Sequence, residues 1–239
     1  MAEYDTDKYD LPSDEADNGK LNKLRAAVLG ANDGIVSTSS VVMGVAGATS
    51  DHAAIATAGL AALVAGALSM AVGEYVSVSS QSDAEKAYIR EEEIDLRDNP
   101  EAELDELARE YEKQGVSRKT ALLVAKELTE KDALRAHLRM HFNIDPDDIN
   151  SPTHAAVASL LAFTVGGIIP FVTIISVPEE CRIGATVGAV LLALLLTGYF
   201  SATAGNASRR RAIARVVVGG MAAMAVTYYV GVAFGTTFG

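Results

Sequence analysis

Long apolar runs alternate with short polar turns along most of this chain, and one strongly polar block interrupts them. The first run is LRAAVLGANDGIVSTSSVVMGVAGA, Leu24 to Ala48. The second is AAIATAGLAALVAGALSMAVGEYVSVS, Ala53 to Ser79. Three more extend from about Thr153 to Val177, Ile183 to Gly205 and Ala212 to Gly235. Each reaches the roughly 20 residues that a helix needs to cross a hydrocarbon core of about 30 Å. The pattern predicts an all-α membrane protein with five transmembrane helices. A three-helix cytoplasmic insertion is expected between spans 2 and 3. The expected organisation is a disordered acidic tail (1–19), spans 1 and 2 (20–81), the insertion (82–150) and spans 3 to 5 (151–239).

The polar block carries its own helix signals. Ser82 and Glu85 make a capping box, predicting a helix to about Arg97. Asn99-Pro100 offers an N-cap and a proline at the first helical position, where its missing N–H costs nothing. That second helix should end near Gln114, with Gly115 as the left-handed residue beyond it. Ser117 can cap a third helix ending near Phe142, and Asp145-Pro146 leads back to the apolar runs. The apolar inventory is modest: Leu104, Leu107, Tyr111, Leu122, Leu123, Leu128, Leu134 and Leu138. So small a unit buries little surface and should need support from a second subunit or from the membrane helices.

Charge fixes an orientation. Residues 1–19 and 83–150 hold 26 of the 31 acidic residues, and the other segments are net positive. Lys20, Lys23 and Arg25 precede the first span, and Arg209, Arg210, Arg211 and Arg215 lie at the fourth turn. The turns at 49–52 and 178–182 carry only Arg182. The positive-inside rule then places the N-terminus, the 82–150 block and the 206–211 loop in the cytoplasm, and the C-terminus outside. No signal peptide is visible, and a short chain without a targeting segment suits a prokaryotic inner (plasma) membrane. The acidic block repels phosphate, so no nucleic-acid partner is expected. The single cysteine, Cys181, excludes an intramolecular disulfide and a CxxC metal site.

Candidate chemistry sits at two levels. Asp33 and Glu74 lie inside apolar runs, where a carboxylate costs several kcal/mol unless it meets a partner, a cavity or an ion. Asp33 is nine residues into the first span, and Met70 is nine residues from the end of the second. At 1.5 Å per residue both lie roughly 13 Å deep, so antiparallel helices set carboxylate opposite thioether. Glu74 follows Met70 by one turn. A soft sulfur beside a carboxylate favours transition metals over Mg²⁺ or Ca²⁺. The plainer readings are a Met70 that faces lipid or packs in the core, and a structural Asp33 that is protonated or caps a kink at Gly34.

In the polar block, Glu92 and Asp95 share one helix face, as do Glu103 and Glu106. Packing across the 98–99 turn brings the two pairs together, and four carboxylates repel unless cations separate them. His137 and His141 also share a face and offer nitrogen ligands. The plainer reading is a solvated acidic face with two surface histidines. His137 is followed by Leu138, so the sequence is not HExxH and nothing supports a zinc protease. GxxxG spacings at Gly30–Gly34, Gly184–Gly188 and Gly231–Gly235 permit close helix approach and weakly favour dimerisation.

The runs RAAVLGANDGIVSTSSVVMGVAGA and AGALSMAVGEYVSVSSQ resemble the vacuolar iron transporter family of divalent-metal transporters. So do DNPEAELDELAREYEKQGVS, ELTEKDALRAH and AFTVGGIIPF further on. The resemblance covers about residues 22–238. It implies a five-span homodimer, an ion path between the first two helices of the subunits, and exchange of Fe²⁺ for protons. It also implies that Asp33 and Met70 belong to that path, and that Glu92, Glu103 and Glu106 are ligands of a cytoplasmic metal-binding domain. Asp95 stands where a Glu is common. His137 and His141 stand at or beside positions where better-known members carry Met and Glu. The expected function is export of cytoplasmic Fe²⁺, with Mn²⁺ as a second substrate, and no enzymatic activity or cofactor. The alternative is a membrane-anchored metal buffer or sensor without transport.

Overall fold

The computed structural model describes residues 14–147, 150–205 and 207–238. The described residues form seven helices and no strand: α1 (Asp14–Ala48), α2 (His52–Asp98), α3 (Pro100–Lys113), α4 (Arg118–Phe142), α5 (Pro152–Ser176), α6 (Glu179–Ala204) and α7 (Arg209–Phe238). Helices α1, α2, α5, α6 and α7 each hold a segment long and apolar enough to cross a membrane. Helix α1 begins at Asp14, within the segment expected as a tail. Residues 1–13 of that tail lie outside the described residues.

The chain divides into two compact units. The first contains α1, the part of α2 up to Gly73, and α5 to α7 from Ala156 onward. Its core joins Ile35, Val42 and Met43 of α1 to Ile174 of α5, Val190 and Leu194 of α6, and Met224 of α7. A second cluster sets Leu63 and Ala67 of α2 against Phe163 of α5. Glycine lets the backbones touch. A Cβ on Gly34 would land on the Phe163 carbonyl oxygen, and one on Gly231 would land on the Gly44 carbonyl oxygen. Two of the three GxxxG pairs, Gly30–Gly34 and Gly231–Gly235, are therefore filled by helices of the same chain. The third pair, Gly184 and Gly188, has nothing within 4 Å.

Polar side chains in these helices mostly bond their own backbone. Thr164, Thr186, Thr197 and Thr203 each donate to the carbonyl four residues earlier, which hides a hydroxyl where no water is at hand. Arg182 is largely buried. It donates to the Ser50 carbonyl at 3.4 Å and lies 3.2 Å from His52 Nδ1, clasping the turn between α1 and α2 to α6.

The second unit contains the rest of α2 with α3 and α4. Leu107 and Ala108 pack on Ala121 and Ala125, flanked by Leu104, Tyr111 and Leu128. Leu122 and Leu123, expected among the apolar contacts, are instead exposed. Ala121 and Ala125 are one turn apart and claim the buried face, which turns their neighbours away. Pro100 opens α3 as expected, although the Asn99 side chain makes no capping bond. Gly115 has φ +98°, as a residue beyond a helix end requires. Ser117 caps α4 by accepting from the Thr120 N–H.

Two local expectations fail. Ser82 does not start a helix: α2 runs unbroken from His52 to Asp98. No proline or glycine lies between Gly73 and Pro100, so the helical ladder continues and costs less than stopping to recap. Helix α4 contains an unexpected break. Asp132 has φ −167° and ψ 91°, and its carboxylate accepts from the Arg135 N–H at 3.0 Å. It is the N-cap of a short terminal piece, 133–142, that carries both histidines. Arg135 pairs with Asp145 and Asp147, and Arg139 with Asp145, which tie this piece to the loop that follows.

Candidate metal centre

Within the second unit, the end of α2, the start of α3 and the terminal piece of α4 surround one cleft of ≈ 240 Å³. Tyr88, Glu91, Glu92, Asp95, Glu103, Glu106, His141 and Phe142 line it. The sharp turn at Asn99-Pro100 sets the carboxylates of α2 against those of α3, as the spacing predicts. His137 is fully buried. Ligand atoms of Glu92, Glu103 and His137 lie within 4.8 Å of one another. His137 Nδ1 is 2.8 Å from a Glu92 oxygen and 3.5 Å from a Glu103 oxygen. His141 Nε2 is 4.0 Å from a Glu106 oxygen.

Distance alone suggests hydrogen bonds, but the alignment is wrong for them. Both ring nitrogens of His137, Nε2 of His141 and Oε1 of Glu92 are buried without a hydrogen-bond partner among the described residues. A buried polar atom left unpaired costs about 1–3 kcal/mol. Lone pairs that converge with no N–H or O–H donated between them are what a cation between them requires. The donor set of carboxylate oxygens with one or two imidazole nitrogens suits a divalent transition metal better than Ca²⁺ or Mg²⁺.

The electrostatics agree. Burial raises the Glu103 carboxyl above its ordinary value, and the charges of Glu106 and Asp95 push it further. Burial lowers the His137 imidazole below its ordinary value, with His141 adding to the fall. The unliganded cluster thus resists holding its negative charge and keeps His137 neutral, ready to donate a lone pair. A divalent cation relieves both.

All six predicted ligands fall in this region, with Asp95 on the cleft wall. The sequence did not single out the aromatic pair that closes it: Tyr88 and Phe142 stack with ring centroids 4.5 Å apart. Their positions, one turn before Glu92 and next to His141, are the only sequence trace of that role. The break at Asp132, which frees the histidine-bearing piece to take its own direction, was also not anticipated.

The membrane candidates lie elsewhere. Asp33 is exposed on the surface of the first unit, and its Oδ1 accepts from the Ser37 hydroxyl at 2.7 Å. Among the described residues no cation pairs with it. Met70 is half-buried at the edge of the Leu63, Ala67 and Phe163 cluster. Its methyl group faces Gly30, one turn before Asp33. Packing and proximity to the acidic turn of α1 are therefore both features of Met70. Glu74 is half-buried at the first position of the second unit.

Comparison with known proteins gives a consistent result. The VIT family model matches residues 24–232. A vacuolar iron transporter of Acanthamoeba castellanii is 42% identical over 214 residues, covering 89% of this chain and 79% of that protein. Vacuolar iron transporter homolog 4 of Arabidopsis thaliana is 37% identical over 206 residues, covering 86% and 80%. Homolog 3 of the same plant is 36% identical over 233 residues, covering 95% and 93%.

Proposed function

Because the chain belongs to the VIT family, we propose that it exports Fe²⁺, and also Mn²⁺, from the cytoplasm in exchange for protons. It is a transporter and not an enzyme. The working form is a homodimer in a prokaryotic inner membrane, with the N-terminus and the 82–150 insertion in the cytoplasm. In this reading Glu92, Asp95, Glu103, Glu106, His137 and His141 capture the ion on the cytoplasmic side. Asp33 receives it in the membrane and alternates between metal and proton. Met70 biases the path toward transition metals, and Glu74 relays ions or protons at the cytoplasmic mouth.

One observation carries transport over simple storage. Asp33 sits in an apolar helix with, among the described residues, only the Ser37 hydroxyl as a polar partner. A metal buffer or sensor has a use for the Glu92–Glu103–His137 cluster but none for Asp33. A carboxylate that costs several kcal/mol in a membrane is retained where an ion or a proton compensates it.

The test is metal flux into liposomes holding the purified protein, with Fe²⁺, Mn²⁺, Co²⁺, Zn²⁺ and Ca²⁺ compared under a fixed pH gradient. Asp33→Asn should abolish flux and leave folding and metal binding by the second unit intact. Full flux in this variant would remove Asp33 from the path. Metal binding without flux in the unmodified protein would establish the buffer reading instead.

A further inference from the structure

Four arginines crowd the start of α7: Arg209, Arg210, Arg211 and Arg215. They are exposed, and no acidic residue among the described ones pairs with any of them. This is unusual in a chain of formal net charge −11, whose other arginines are mostly matched. Arg109, Arg118 and Arg135 all hold carboxylates. The cluster is a positive surface without an internal counterion.

An open apolar groove of ≈ 820 Å³ runs beside it on the first unit, between α1, α5 and α6. Ala27 and Ala31 form one wall, Leu161 and Val165 the second, and Phe200 and Thr203 the third. The two features adjoin. The Phe200 ring lies edge-to-face on Tyr199 with centroids 5.7 Å apart. The Arg209 guanidinium sits 5.0 Å from the centre of that same Tyr199 ring. The Arg209 end of the cluster therefore lies next to the Phe200 wall of the groove.

We infer that this is a binding site for an anionic phospholipid, with an acyl chain in the groove and the headgroup phosphate on the arginines. Guanidinium groups recognise phosphate by paired N–H donors. Basic residues beside a membrane helix attract anionic lipid headgroups. The groove is not the face that carries Asp33. At 100° per residue, Asp33 points about 165° away from the mean direction of Ala27, Val28 and Ala31. A neighbour that covers Asp33 leaves the groove open to lipid.

The experiment uses the purified full-length protein in detergent and native mass spectrometry. Phosphatidylglycerol, phosphatidylcholine of the same chains, and glycerol phosphate are offered in turn. Phosphatidylglycerol should be retained preferentially. Changing Arg209, Arg210 and Arg211 together to Gln should cut that retention at least about tenfold. The matching change to Lys should preserve most of it, and that pair of variants separates charge from folding. Val165→Trp alters a side chain that is 63% exposed. It should fill the groove and weaken lipid retention without lowering the melting temperature. Equal retention of the two lipids would overturn the proposal, as would glycerol phosphate binding as tightly as the lipid. Disulfide cross-linking of Val165→Cys to a second copy, in a Cys181→Ser background, would also overturn it by giving the groove to the protein itself.

Discussion

At the scale of the residue, His137 is expected to decide how the proposed metal centre responds to pH. Its imidazole is held below the ordinary 6.5, so protons displace metal from it later than from a free histidine. Glu103 is held above the ordinary 4.5, so protons reach it earlier than a free carboxylate. Metal affinity should stay flat above about pH 6.5 and fall below it, as both groups take up protons. Titration calorimetry with Mn²⁺ at several pH values checks this. His137→Ala should lower affinity at pH 7 and leave a shallower fall carried by the carboxylates. An unchanged affinity would return His137 to the role of a packed core residue. Sequence spacing placed His137 and His141 on one face but left their burial open. The long-range neighbours of His137 are Glu92 of α2 and Glu103 of α3, and contacts so distant in the chain leave no periodic trace.

At the scale of the element, α4 shows where local signals mislead. Its start was readable because Ser117 acts through residues beside it in the chain. Its interruption was not, because EKDALRAH is also an acceptable helical sequence. The break at Asp132 coincides with its own cap on the Arg135 N–H and with the pairing of Arg135 and Arg139 to Asp145 and Asp147, contacts that lie beyond the local sequence signal. Ser82 errs in the opposite sense, as a good capping sequence inside a helix that simply continues. Asp132→Ala should remove the cap, cost about 1 kcal/mol and weaken metal binding without removing any ligand. Chemical denaturation and the Mn²⁺ titration read the two effects separately. Unchanged metal affinity would show that the terminal piece of α4 is oriented by its ligands alone.

At the scale of the whole molecule, the five spans were legible because hydropathy is a property of the sequence itself. Their partners were not. GxxxG at Gly231–Gly235 reads the same whether the helix that fills it comes from this chain or another. Contrasting substitutions test the assignment. Gly184→Ala and Gly188→Ala meet open space and should be neutral or stabilise by up to about 1 kcal/mol each. Gly34→Leu and Gly231→Leu should abolish the folded state, since the backbone opposite cannot yield. Size-exclusion chromatography of the four variants gives the comparison. The same seams constrain how the protein works. Where carbonyl meets glycine, no layer of side chains remains to slide or repack, so α1, α5 and α7 behave as one stiff block. The first half of α2 meets that block through the ends of side chains, Met70 beside Gly30 and the Val42 methyl beside Gly59. On the proposed exchange of metal for protons, α2 is the part expected to move against that block. Spin labels on α1 and α7 should hold their separation when metal and protons are exchanged, while labels on α1 and the first half of α2 should not.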